Sequence, residues 1–371
     1  MSFCSLSVSA QTFTVLHDFA GSPADGATPN GVALDASGNL YGTTATGGAF
    51  ATDCQGGCGT VFKIDSLQNE TVFYNFGPSA STPQAVPTRD RAGNLFGSTV
   101  SGGSGNLGTL YKPDGEANYT LLYTFQSDDG ANPNFKLLRN TAGDIYGVTT
   151  AGGSFDKGVI YKLGADGTET VLYSFGGETG EVPSSRLLPD AQGNFYGATG
   201  AGGRCQTGVG CGVVYRFSTR LGTEKVVHVF SGAPDGELPY GDLIRDADGN
   251  SYGVTFLGGA NDLGAIYKID IAGTESILHS FSGADGVQPA SGLLLDPAGN
   301  LYGTTAAGGA FGRGVVFALS ATGKFKLLHS FDGTDGSNGQ TVLARDAAGN
   351  IYGTTLFGGS AGYGVAYKLT P

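Results

Sequence analysis

The sequence predicts an all-β fold, a seven-bladed β-propeller of four-stranded antiparallel blades whose ring is closed by the N-terminal strand completing the last blade. Three observations carry the prediction. One phrase, Gly38-Asn39-Leu40-Tyr41-Gly42-Thr43-Thr44, returns with small changes from Gly93, Gly143, Gly193, Gly249, Gly299 and Gly349, at spacings of 55, 50, 50, 56, 50 and 50 residues. A period of this size marks stacked or radial repeats whose units cannot bury a hydrophobic face alone. Each unit also holds four short apolar runs, and the two chain ends are complementary.

The sixth unit shows the runs in order. Gly292 to Asp296 leads through a Pro-Ala-Gly turn to Asn300 to Thr305; a Gly-Gly loop follows, then Val315 to Leu319, an Ala-Thr-Gly turn, and Lys324 to Phe331. Runs rich in Leu, Val, Tyr and Phe, bounded by Gly, Asp, Asn or Pro, are expected as antiparallel strands and hairpins. Four strands per unit and seven units make a propeller. Phe13 to Phe19 matches the outer run Phe325 to Phe331, while the last unit stops after its third run, Val365 to Leu369. Pairing the two closes the ring and removes two exposed edges.

Of 371 residues 66 are glycine, far above the usual share of about 7%. They fall at repeat positions, as turns and close strand contacts require. No linker interrupts the period, so residues 11–371 are expected as one domain, with residues 1–10 a truncated signal-peptide remnant or leader.

Asp-Gly-x-x-Pro, Asp-x-x-Gly-Asn-Leu-Tyr-Gly-Thr-Thr-x-x-Gly-Gly and Gly-x-Val-Tyr-Lys-Leu recur over nearly the whole chain. This combination resembles the GloVer tandem-repeat family of bacterial choice-of-anchor proteins. The resemblance implies a secreted or surface-attached bacterial protein and carries no common activity. The WD and kelch signatures rely on Trp, which is absent here.

Val8-Ser9-Ala10 before Gln11 fits a small-residue cleavage site. Cys54 and Cys58 form one close pair and Cys205 and Cys211 another, each inside the loop whose insertion lengthens its unit. A local disulfide in each loop suits an exported protein. A shared zinc site would need the first and fourth blades to meet across the ring. The expected location is therefore secreted, extracellular or at the cell surface.

In an up-and-down blade the Gly-Gly loops and the Asp-Gly-x-x-Pro links leave on one face, the tight turns on the other. Long variable loops on a rigid ring are the usual seat of binding. The blade-specific residues of the Gly-Gly loops, Phe50, Arg204, Phe256, Asp262, Phe311, Arg313, Phe357 and Tyr363, are the candidate ligand-binding set. Asp25, Asp129, Asp235, Asp285 and Asp335 recur in the links; repetition favours turns held by Asx hydrogen bonds over a carboxylate ring for Ca²⁺. The same reading applies to Asp246-Ala247-Asp248-Gly249-Asn250, so no metal or other cofactor is expected, with Ca²⁺ as the minor alternative. Arg89, Arg139, Arg245 and Arg345 are expected to pair between blades rather than form an anion-binding ring.

His17, His228, His279 and His329 share one repeat position with Tyr74, Tyr123 and Tyr173, which reads as packing. No nucleophile–His–acid set appears, and no catalytic residue is assigned. A net charge of −12 disfavours nucleic acid and anionic membranes, and no apolar run reaches a membrane span. The expected function is a non-catalytic binding or scaffold module, monomeric, for an extracellular glycan or an envelope protein. The alternatives are a polysaccharide hydrolase or lyase using carboxylates and Tyr on the loop face, and a structural surface-layer component.

Overall fold

A computed structural model describes residues 11–113, 118–204 and 210–370. It is an all-β ring of seven blades, each a small antiparallel sheet; except where the chain ends meet in the seventh, the strands of a blade are laid down in chain order. The first blade runs Gly26–Leu34, Leu40–Gly47, Thr60–Ile64 and Glu70–Asn75. The sixth runs Leu294–Leu295, Leu301–Thr304, Val315–Leu319 and Phe325–Ser330. The seventh takes Ala344–Arg345, Ile351–Thr354 and Val365–Thr370 from the C-terminal end and Thr12–Asp18 from the N-terminal one. Thr12 pairs with Thr370 and Asp18 with Val365, so the expected closure forms.

The glycine of the recurring Tyr-Gly-Thr-Thr phrase is fixed by its neighbour on the third strand. Gly97, Gly147, Gly197, Gly253 and Gly353 lie under the rings of Tyr111, Tyr161, Tyr215, Tyr267 and Tyr367, while Gly42 and Gly303 lie under Phe62 and Phe317. A Cβ at any of the seven would come under 3.0 Å from the ring or its hydroxyl. The second Thr of the phrase caps the strand: Thr149 Oγ1 donates to the Ala151 carbonyl (2.8 Å) and accepts from the Val159 N–H (3.1 Å).

Blades join through one aromatic contact repeated around the ring. The Phe ending each outer strand is fully buried and meets the third-strand aromatic of the next blade edge-on. The seven pairs, from Phe19 with Phe62 to Phe331 with Tyr367, have centroids 4.8 to 5.5 Å apart. Such geometry adds about 0.5–1.5 kcal/mol per pair beyond area burial. Each hydrophobic cluster accordingly draws on two adjacent blades.

The links hold a second repeated joint. Thr28, Thr82, Asn132, Val182, Leu238, Gln288 and Asn338, each just before the link Pro or its equivalent, take φ between +54° and +61°. In this left-handed region each donates its N–H to a carbonyl in the previous blade's Gly-Gly loop, as Val182 does to Lys157 (3.0 Å) and Thr28 to Tyr363 (2.9 Å). The cost at a β-branched residue such as Val182 is repaid by an inter-blade hydrogen bond.

The inner strand of the sixth blade is shorter than the sequence suggests. Regular pairing in the sixth blade covers only Leu294–Leu295, because the residues ahead of it, Ala290 to Gly292, turn to form the wall of the central channel.

Candidate functional site

Every blade contributes to a half-open cavity of about 380 Å³ at the end of the channel where the inner strands begin. Its wall is drawn mainly from the three residues that follow the link Pro or its equivalent, with Phe256 added, and these change from blade to blade. The first is Asn30, Gln84, Asn134, Ser184, Tyr240, Ala290 and Gln340 in turn; the third supplies Val86, Lys136, Asp242, Gly292 and Val342. A seven-fold backbone thus carries an asymmetric wall, as an asymmetric ligand needs.

Among the described residues, the charged side chains lining this wall are Lys136 of the third blade and Asp242 of the fifth, the latter paired with Arg186 of the fourth. Asp242 is buried; its Oδ2 lies 3.2 Å from Arg186 Nε and its Oδ1 accepts the Arg186 backbone N–H at 3.0 Å. Lys136, in the same cavity, has no carboxylate within ion-pair distance among the described residues. Burial lowers its pKa, and Arg186 lowers it further against a smaller opposing pull from Asp242. Asn134 points a buried Oδ1 without a hydrogen-bond partner. Phe135, Tyr240 and Phe256 add aromatic faces, the last two meeting edge-on at 5.9 Å.

Of the eight loop residues chosen from the sequence, Phe256 alone borders this cavity. Phe50, Phe311, Phe357 and Tyr363 are exposed on the surrounding loops, with Phe50 beside a separate depression near Tyr74 and Pro78. Tyr363 packs over Gly21 and Arg313 over Gly333. Arg204 pairs with Glu178, Nε to Oε1 2.9 Å, on the exposed surface. Asp262 closes its own loop by accepting the Gly258 N–H at 2.9 Å. The channel wall escaped the sequence reading, although aligning the repeats on the link Pro exposes Lys136, Arg186 and Asp242 as the charged exceptions at the third position after it.

The loop and link face is as expected: in all seven blades the second Gly of the Gly-Gly pair donates to its own blade's link, as Gly153 does to Ser127 (2.8 Å). In the tight turns, Asp246 Oδ1 accepts the Asn250 N–H while Oδ2 accepts from Asn250 Nδ2 and Tyr252 Oη. Arg89, Arg139 and Arg245 each reach the previous blade's turn carboxylate, Asp35, Asp90 and Asp190, at 3.6 to 3.9 Å. They also lie over Tyr41, Phe96 and Tyr196.

The histidines do more than pack. His17, His279 and His329 share a hydrogen bond with Asp25, Asp285 and Asp335 at 3.0, 3.0 and 2.7 Å, and Tyr123 donates to Asp129 at 2.5 Å. These pairs tie the outer strand to the link. Among the described residues, His17, Asp25 and Glu70 bring three ligand atoms within 4.8 Å of one another. Asp25 there already accepts the Ala20 and Gly26 N–H groups, and it is a turn residue of the repeat. Burial pushes the Asp25 carboxyl up, but the His17 hydrogen bond and these N–H groups more than offset it and hold it below the ordinary value.

Cys54 and Cys58 form a disulfide. Cys205, of the second expected pair, lies outside the described residues, as does the leader 1–10; Cys211 is fully buried. Among the described residues no helix is long and apolar enough to cross a membrane.

The fold is shared with solved structures of low sequence identity. The extracellular domain of BT3049 from B. thetaiotaomicron, described as a hybrid two component system, superposes with TM-score 0.59 at 13% identity, over 97% of this chain and 41% of that one. That of BT4673, described as a one component system from the same organism, gives 0.61 at 12%, over 97% and 42%. This chain therefore spans about two fifths of their length. A protein from Bacteroides uniformis described as a 6-phosphogluconolactonase gives 0.53 at 11%, over 88% and 89%. No curated protein matches the sequence. The repeat itself is diagnostic: residues 50–244 and 207–371 match one family model, and the chain belongs to the Gloeobacter/Verrucomicrobia repeat family.

Proposed function

We propose that the protein is an extracellular, non-catalytic binding module that takes a glycan, or a glycosylated envelope partner, at the channel mouth of its loop face. The observation that carries this reading is the asymmetric cavity of about 380 Å³ with its carboxamides and aromatic rings, at the low end of the range for small-molecule sites, about 300–1,000 Å³. Carboxamides hydrogen-bond sugar hydroxyls, and Phe135, Tyr240 and Phe256 offer faces for the apolar side of a pyranose. Phe50, Phe311, Phe357, Tyr363, Arg204, Asp262 and Arg313 form the outer loops that would touch the rest of a longer chain.

Glycoside hydrolysis needs two carboxyl groups across the scissile bond. The cavity wall has one, Asp242, and Arg186 holds it. The screen that tests the reading exposes the protein to a broad polysaccharide panel and records bound glycan and released reducing or unsaturated ends together. Binding without release is expected. Release would make the protein an enzyme, and an empty panel in both channels would leave a protein partner or a structural role.

A further inference from the structure

The wall of the channel cavity holds a cation without a counter-ion. Lys136 and Asp242 are the charged side chains lining it, yet Asp242 is committed to Arg186 through one oxygen and to the Arg186 backbone N–H through the other. Arg186 stands behind Asp242 and outside the cavity lining. The three charges leave one positive charge over, on the group that faces the cavity, in a chain of net charge −12. A half-buried ammonium close to a guanidinium is unfavourable unless an anion joins it.

The other lining groups narrow the anion. A site for inorganic phosphate or a nucleotide would gather several N–H donors or arginines around one point. Here a single ammonium shares the cavity wall with the carboxamide residues Asn30, Gln84, Asn134 and Gln340 and with Tyr240. Asn30 Nδ2 is already spent on the Pro83 carbonyl (2.8 Å), while the buried Asn134 Oδ1 lacks a donor. One fixed positive charge, neutral carboxamides and aromatic faces together match a polyhydroxylated monocarboxylate.

We propose that Lys136 binds the carboxylate of an acidic sugar, a uronic acid residue at the end of a glycan chain. This assignment rests on the glycan-binding reading above and names its ligand class. Arg186 is a positioning residue: by holding Asp242 it keeps that carboxylate from pairing with Lys136.

The test is calorimetric titration of the full chain with glucuronate- and galacturonate-terminated oligosaccharides and with their neutral glucose and galactose counterparts, for wild type, Lys136→Gln and Lys136→Arg, each checked by thermal melting. Wild type is expected to prefer the acidic ligand at least tenfold. Lys136→Gln should lose that preference, so that acidic and neutral ligands bind alike, and Lys136→Arg should retain most of it. Equal binding of acidic and neutral sugars by wild type, or an unchanged preference in Lys136→Gln, overturns the carboxylate assignment and leaves glycan binding standing. Binding of none of the saccharides overturns both.

Discussion

Gly197 and Tyr215 face each other across the second and third strands of the fourth blade, and the phenol lies directly on the glycine backbone. Tyr215 is fully buried, and its hydroxyl has no hydrogen-bond partner. A Cβ at position 197 would come under 3.0 Å from the hydroxyl and the ring carbon bearing it. Gly197→Ala should therefore destabilise by about 1–3 kcal/mol, the usual cost of overpacking. Tyr215→Phe should be neutral or stabilising on its own, since it removes an unsatisfied buried hydroxyl, and should return part of the loss in the double variant. Urea unfolding of the four proteins checks this; additivity of the two changes would show that the contact is not the cause.

Val182 sits at φ +55° in the link of the fourth blade, where the equivalent residues in the third and seventh are Asn132 and Asn338. Left-handed backbone costs a branched residue roughly 1–2 kcal/mol, and Asn tolerates it better. Val182→Asn keeps the N–H bonded to Lys157 and should raise the melting temperature, by an amount corresponding to about 1 kcal/mol. A lower melting temperature would mean that the Val side chain itself holds the link.

Phe19 belongs to the N-terminal strand but is buried against Phe62 of the first blade, so it seals the ring where the chain ends meet. Phe19→Ala should cost about 3–5 kcal/mol, the usual range for a buried Phe. Because this contact closes the ring, limited proteolysis should cut the variant first near the seventh-blade seam. Cleavage distributed as in wild type would argue against a special role for the closure.

Glu70, Glu169 and Glu224 stand at the start of outer strands, and burial pushes each from the ordinary 4.5 up to about 7. At Glu169 the charge of Asp129 adds to burial; at Glu70 His17 opposes it and Asp25 adds to it; at Glu224 the Tyr173 hydrogen bond opposes it. A carboxyl whose folded pKa is raised contributes stability that is complete below pH about 4.5 and is lost as pH rises through about 7. The melting temperature should fall between pH 5 and pH 8. Replacing all three by Gln should flatten that fall. His17 acts in the same direction: burial lowers its pKa, but Asp25 more than offsets this and raises it, so some slope will remain. An unchanged slope in the triple variant would show that these carboxyls ionise freely.

The parts of the fold visible in the sequence are those each blade repeats. Gly197 under Tyr215, the Asp190–Asn194 turn and the match between Phe13 to Phe19 and Phe325 to Phe331 are local patterns copied around the ring. The joint at Phe19 and the link conformation at Val182 were not visible, since each depends on a contact between blades.

The site divides along the same line. Sequence variation between repeats directed attention to the Gly-Gly loops, because those loops are the longest departures from the pattern. Lys136 and Asp242 vary just as much, yet they fall where an inner strand was expected to begin.

By itself, then, the sequence determined the architecture: the repeat sets strand number, turn chemistry and blade count, and the two ends specify closure, because each is a short-range or pairwise match of residue types. Only the tertiary structure decided which variable residues converge. Lys136, Arg186 and Asp242 lie about 50 residues apart in sequence and meet because closing seven blades into a ring brings equivalent positions to a common axis. That convergence is a property of the ring.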